Sequence, residues 1–163
     1  MRLVRFALIS IVVLFSIATL MGLLFPSVVI VSRAIDVNAP KDSVEVLVKD
    51  LNGWKQWMAI INSPSTQIIS ATEANVGDTK VSINNHNADT IASTWLSKNG
   101  KLQTSLIRVF AHPSNNVTTV QWQFQEHLHW YPWERMGSMF NENILGPLLE
   151  SNLNKLKELV EEH

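Results

Sequence analysis

The segment 117–130 alternates regularly enough to assign a face to each side chain. Its even positions Val120, Trp122, Phe124, Leu128 and Trp130 are apolar, and its odd positions Thr119, Gln121, Gln123, Gln125, His127 and His129 are polar. Successive side chains of a β-strand point to opposite faces, so the apolar set looks inward. Glu126 is then the one ionisable group turned inward with it, where loss of water penalises the carboxylate unless a cation pairs with it. Arg108, in the run LeuIleArgValPhe at 106–110, is the candidate cation, although the apolar residues on both sides of it leave its face open. A Glu126–Arg108 pair would orient a polar head or work as acid and base. The plainer alternative puts Glu126 at a bulge or a cavity mouth, in contact with water.

Other chemistry has less to build on. His127 and His129 have metal-ligand spacing, but they fall on the outward face with only Glu134 as a nearby carboxylate, so no metal site is assigned. His86 and His112 lie in turn-like sequence. The chain holds no GxSxG, HExxH or phosphate-cradling glycine loop, which removes the usual residues of hydrolase and nucleotide chemistry and implies no cofactor. With no cysteine there is no disulfide framework, thiolate nucleophile or iron–sulfur ligand set. Lys plus Arg number 13 against 14 Asp plus Glu, so no basic footprint for nucleic acid is present.

These candidates need a frame to hold them. The 163 residues, 46% apolar, suffice for one packed domain. Phe6–Leu24 is apolar apart from Ser10, Ser16 and Thr19, whose hydroxyls can bond back to the preceding helical turn. At about 1.5 Å per residue it extends about 28 Å, close to the hydrocarbon thickness of a bilayer. A removed signal peptide has a shorter apolar region and a small-x-small exit; residues 1–27 are therefore expected to be an uncleaved transmembrane anchor and 28–163 the domain it carries. Arg2 and Arg5 on the short side are balanced by Arg33, Lys41 and Lys49 on the long side, so charge bias leaves the orientation open. A periplasmic, extracytoplasmic domain is the expectation, because single-span proteins with a long carboxyl-terminal part commonly insert that way.

Beyond Pro26, the β-branched run from Val28 predicts a first strand over 28–37. Pro40 suits the first turn of a helix carrying Val44, Leu47, Val48 and Leu51 on one face, which Gly53 is expected to break before a helical turn with Trp54 and Trp57. Strands are predicted at 66–71, 79–84, 89–97, 102–111 and 117–129, separated by turns at 73–78, 84–87, 98–100 and 112–116. Such short connections force antiparallel pairing, hence a meander. The last third reads as one amphipathic helix, N-capped by Ser138, with Leu145, Leu149, Leu153, Leu156 and Val160 on one face. Pro147 inside that pattern is expected to bend its first turns. Trp95, Trp122, Trp130 and Trp133 either line a pocket or fill the core. Trp130, Tyr131 and Trp133 are also a candidate rim for lipid headgroups beside an anchored helix.

AlaPro at 39–40 leading into ValLeuValLysAspLeuAsnGlyTrpLysGlnTrp at 46–57, together with the ending LeuGlyProLeuLeuGluSerAsnLeuAsnLysLeuLysGluLeuValGlu at 145–161, resembles the START-like superfamily called SRPBCC, in its polyketide cyclase/dehydrase and lipid transport branch. The resemblance runs from about residue 30 to the end. It implies an α+β helix-grip fold, a curved antiparallel sheet wrapped around a long C-terminal helix, here preceded by the N-terminal transmembrane helix. It also implies a cavity between sheet and helix that takes a lipid or other hydrophobic small molecule, with Trp95, Arg108, Trp122, Phe124, Glu126, Leu145 and Leu149 as its candidate lining. The alternative is a cyclase or dehydratase in the same cavity, using Glu126 with Arg108 or Tyr131. A third is a partner-binding domain with a closed, fully packed interior.

Overall fold

In a computed structural model, which describes residues 2–24, 26–87, 89–113, 116–129, 131–137 and 141–162, the apolar amino terminus is one helix, α1 (Arg2–Leu23). Ser16 and Thr19 donate to the carbonyls of Val12 and Phe15, both at 2.8 Å, so their hydroxyls are satisfied within the helix. Its large side chains, Leu8, Val12 and Leu20 among them, are exposed all round. It is long and apolar enough to cross a membrane.

The strand predicted at 28–37 is β1 (Val28–Val37). Two short helices follow, α2 (Lys41–Val48) and α3 (Leu51–Trp57). Gly53 does not break a helix as its composition predicts. The break comes earlier, at Lys49–Asp50, where the Asp50 carboxylate accepts from Gly53 N at 2.8 Å and caps α3. Gly53 sits inside α3 because a Cβ there would lie 2.5 Å from the Leu47 carbonyl oxygen, so only glycine lets α3 approach the end of α2.

The remaining strands are β2 (Thr66–Ile68), β3 (Glu73–Val76), β4 (Thr79–Asn87), β5 (Thr90–Ser97), β6 (Leu102–Ala111) and β7 (Thr118–His127). All pair antiparallel in one seven-stranded sheet of order β1-β7-β6-β5-β4-β3-β2. The expected meander is present, with two corrections. Residues 73–76, read as a turn, form β3: the tight turn at Gly77, with φ of 55°, folds Val76 onto Thr79 and buries Ala74 and Val76 against the core. Residues 84–87, also read as a turn, extend β4 after an irregularity between Ile83 and Asn85. Both were hidden because short polar strands owe their conformation to a neighbour's hydrogen bonds rather than to their own side chains.

Past β7 the chain forms α4 (Pro132–Gly137), which the sequence did not signal, and α5 (Asn141–Glu161). The proposed cap Ser138 lies outside the described residues. α5 runs as one helix through Pro147. It packs chiefly on β1, and its buried Leu149, Leu153, Leu156 and Val160 meet α2, α3 and the inner face of the sheet. Asn152 ties it down, accepting from Ala59 N at 2.8 Å and donating to the Leu148 carbonyl at 2.7 Å.

The interior is filled by indoles whose N–H groups are all spoken for. Trp54 donates to the Val48 carbonyl at 2.6 Å, Trp57 to the Leu47 carbonyl at 2.9 Å and Trp122 to Ser105 Oγ at 2.8 Å. Trp57 and Trp122 meet edge-on at 5.3 Å. Large rings with satisfied donors close the centre of the space between sheet and helices.

Candidate functional site

Burial along β7 follows the period-two pattern: Thr118, Val120, Trp122, Phe124 and Glu126 are buried and the residues between them are not. Glu126, 6% exposed, is therefore on the inner face. Its partner is Lys101 rather than Arg108. Gly100, at φ of 83°, turns the β5–β6 hairpin, and the Ser97 N–H bonds to the Lys101 carbonyl at 2.9 Å, setting Lys101 two positions before the Gln103 that pairs with Glu126. Lys101 Nζ lies 2.7 Å from one Glu126 oxygen, and Gln103 Nε2 donates to the other at 2.8 Å. A cation and a neutral donor thus replace the water that burial removes.

Arg108 stands on the opposite face. Its neighbours Ile107 and Val109 are the buried ones, and it pairs across the sheet with Thr90 and Gln121. The Glu126–Arg108 pair expected from the sequence is not formed. A register count back from the β6–β7 hairpin, where Ala111 meets Thr118, would have set Arg108 beside outward Gln121 and Gln103 beside Glu126. Sequence reasoning also missed Arg33, the cation that β1 brings to the helix side. It donates to Glu142 and to Glu150 on α5 and crosses over Gly146, where a Cβ would collide with its guanidinium. The hydrogen bonds it donates to Glu142 and then to Glu150 hold the Arg33 guanidinium above its usual pKa.

A cavity of about 690 Å³ opens beside Glu126. Its walls are the β5–β6 turn, the end of β7 and α4, and its lining includes Lys101, Leu102, Glu126, Leu128, Trp133 and Glu134. Of the residues expected to line a pocket beneath the terminal helix, Glu126 alone borders this one. Trp95, Trp122, Phe124 and Leu149 are buried in the core, with Phe124 5.5 Å from each of the two indoles, and Leu145 is half-buried against them. The void sits at one end of the sheet because the middle is occupied by Trp54, Trp57 and Trp122.

That end is also where α1 joins the domain. Val28 opposes His127, and Leu128 N donates to the Ser27 carbonyl at 2.8 Å. α4 packs against the last turns of α1, with Arg135 Nη1 3.4 Å from the Gly22 carbonyl and its Nε donating to the His129 carbonyl at 3.2 Å. Tyr131 and Trp133 stack at 4.9 Å, nearly parallel. Glu134 accepts from His129 N at 3.0 Å and faces the His129 ring at 3.1 Å. His127 and His129 both border the cavity, and among the described residues no three His, Asp or Glu side chains gather as metal ligands. Trp130 lies outside the described residues.

No protein-family model and no curated protein matches the chain. Solved structures do. A START superfamily protein from Mycobacterium smegmatis superposes with a TM-score of 0.61 at 14% identity, covering 82% of this chain and 97% of that one. The Zhui aromatase/cyclase of a Streptomyces species gives 0.59 at 13% identity over 82% and 94%. A protein of the dynemicin biosynthetic locus gives 0.57 at 13% identity over 81% of this chain and 47% of its own. With the seven-stranded antiparallel sheet, the two short helices after β1 and the long terminal helix, these likenesses establish that the chain has the START-like, helix-grip fold of the SRPBCC proteins.

Proposed function

We propose that this protein is a membrane-tethered binding module that holds an amphiphilic small molecule, a lipid or another hydrophobic compound with a polar head, in the cavity beside Glu126. α1 anchors it, with 1–27 as the anchor and 28–163 as the extracytoplasmic domain. The observation that carries this reading is the position of the cavity: a space of about 690 Å³ lies at the end of the sheet against which α1 ends. Its size falls within the range of small-molecule sites. Leu102, Leu128 and Trp133 offer apolar contact, while the Lys101–Glu126 pair supplies a fixed charge pattern for a polar head. Bare in water, α1 would expose an unbroken apolar surface, whereas a bilayer satisfies it.

The test is to purify the full chain in lipid nanodiscs, wash it and identify retained small molecules by mass spectrometry beside a Leu128→Trp variant that fills the cavity. A compound held by the parent and lost from the variant supports the reading. Equal retention by both, or none by either, overturns it.

A cyclase or dehydratase in the same cavity is the second reading, favoured by the buried Glu126 carboxylate reaching its wall. With Arg108 on the other face and Tyr131 not among the residues lining the cavity, that enzyme would rest on Glu126 with Lys101. Glu126→Gln separates the two: from a binding module the same compound is recovered from parent and variant, in smaller amount from the variant, whereas with an enzyme the variant holds unreacted compound where the parent yields product.

A further inference from the structure

We infer that α4, with Tyr131 before it, forms a seat for the lipid headgroup layer, with the Trp133 indole placed where that layer meets the cavity. This rests on the anchoring role proposed for α1 and adds how the domain lies on the bilayer and from which side a ligand enters. A helix that spans the hydrocarbon must surface near its last turn, and α4 is packed there, Arg135 reaching the Gly22 carbonyl. α4 is therefore held at the level of the headgroups.

Its side chains suit that level. Trp133 is 60% exposed, an unusual cost for an indole facing water, and the nearly parallel stack with Tyr131 keeps it turned outward. An indole at the boundary of hydrocarbon and headgroups is a placement that bilayers favour, its ring lying among glycerol and acyl carbons. Leu102, half-exposed, lines the same cavity as Trp133, and Ile144, exposed, lies on the first turns of α5. Trp133 belongs to both surfaces at once, since it also lines the cavity. An amphiphile can then pass from the bilayer into the cavity along the indole without crossing water, apolar end toward Leu102 and Leu128.

The chain contains no cysteine, so single labelling sites can be introduced without background. Nitroxide labels at Trp133→Cys, Ile144→Cys, Leu14→Cys and Glu158→Cys are compared in phosphatidylcholine/phosphatidylglycerol nanodiscs holding one copy of the full chain. Collisions with oxygen and with a water-soluble nickel chelate are read at each. Position 14 tests the anchor and position 158, on the far part of α5, reports water. The expected result is a severalfold lower chelate collision rate at 133 and 144 than at 158, with 14 fully shielded. Rates at 133 and 144 equal to that at 158, while 14 stays shielded, overturn the seat and leave the anchor intact. Chelate access at 14 overturns the anchor and the seat with it. Shielding at 133 and 144 only in discs with two copies assigns the surface to a second chain and also overturns the seat.

Discussion

Two tryptophans mark regions built on opposite principles. Trp122, 1% exposed, lies edge-on to Trp57, and its N–H is bound to Ser105. Trp133, 60% exposed, lies against Tyr131 beside a void. Around the first, aromatic rings, leucines and satisfied donors close the interior between sheet and α5. Around the second, a short helix, a tight hairpin turn and one buried ion pair leave space unfilled. The fold thus separates stability from access: the middle of the grip supplies rigidity and the α1 end keeps a pocket. A START-like outline alone does not say where the cavity lies, because the side chains beneath the helix decide whether that space is filled.

The comparison breaks most readily at its closed half. Trp122→Ala is expected to cost about 3–5 kcal/mol, since a rigid aromatic neighbourhood cannot collapse onto the vacancy; denaturant titration of the full chain in detergent would show the loss as a lower midpoint. A cost under 1 kcal/mol would mean that the centre is already loose. Gly53→Ala should cost about 1–3 kcal/mol by the same measurement, outweighing the roughly 1 kcal/mol that alanine gains over glycine within a helix. A neutral or stabilising result would show that α2 and α3 can separate freely.

At the open half the effects shrink. Lys101→Ala removes a cation from the Glu126 carboxylate while Gln103 still donates to it; because Lys101 is itself half-exposed, the expected cost is about 1–2 kcal/mol rather than the full penalty of an orphaned buried charge. Combining it with Glu126→Gln should recover part of that loss in a double-mutant cycle. Additive costs would mean the pair is not coupled. Trp133→Ala should change stability by less than about 0.5 kcal/mol while, under the proposed binding role, reducing retention of whatever compound the parent chain holds. A large destabilisation there would erase the distinction between the two tryptophans.

Much of this plan is written locally. Alternation from Thr119 to Gln125 is enough to turn Glu126 inward, because strand geometry repeats every two residues whatever the partner. Leucines from 145 to 156 similarly define the buried stripe of α5, and an uncharged run before Pro26 defines α1. The meander follows from short connections. What these periodicities lack is register. Whether Arg108 or Lys101 meets Glu126 depends on how β6 slides along β7, and a shift of one residue exchanges the faces.

The sequence by itself determined a spanning-length apolar helix, an antiparallel sheet, a terminal amphipathic helix and one inward carboxylate, since each arises from contacts between residues a few positions apart. Only the tertiary structure decided that Gly53 serves close approach, that 73–76 is a strand, that Lys101 meets Glu126 and Arg33 meets α5, and that a cavity opens between the β5–β6 turn and α4. Those outcomes depend on how distant segments share volume and backbone hydrogen bonds, and no spacing along a single segment encodes that competition.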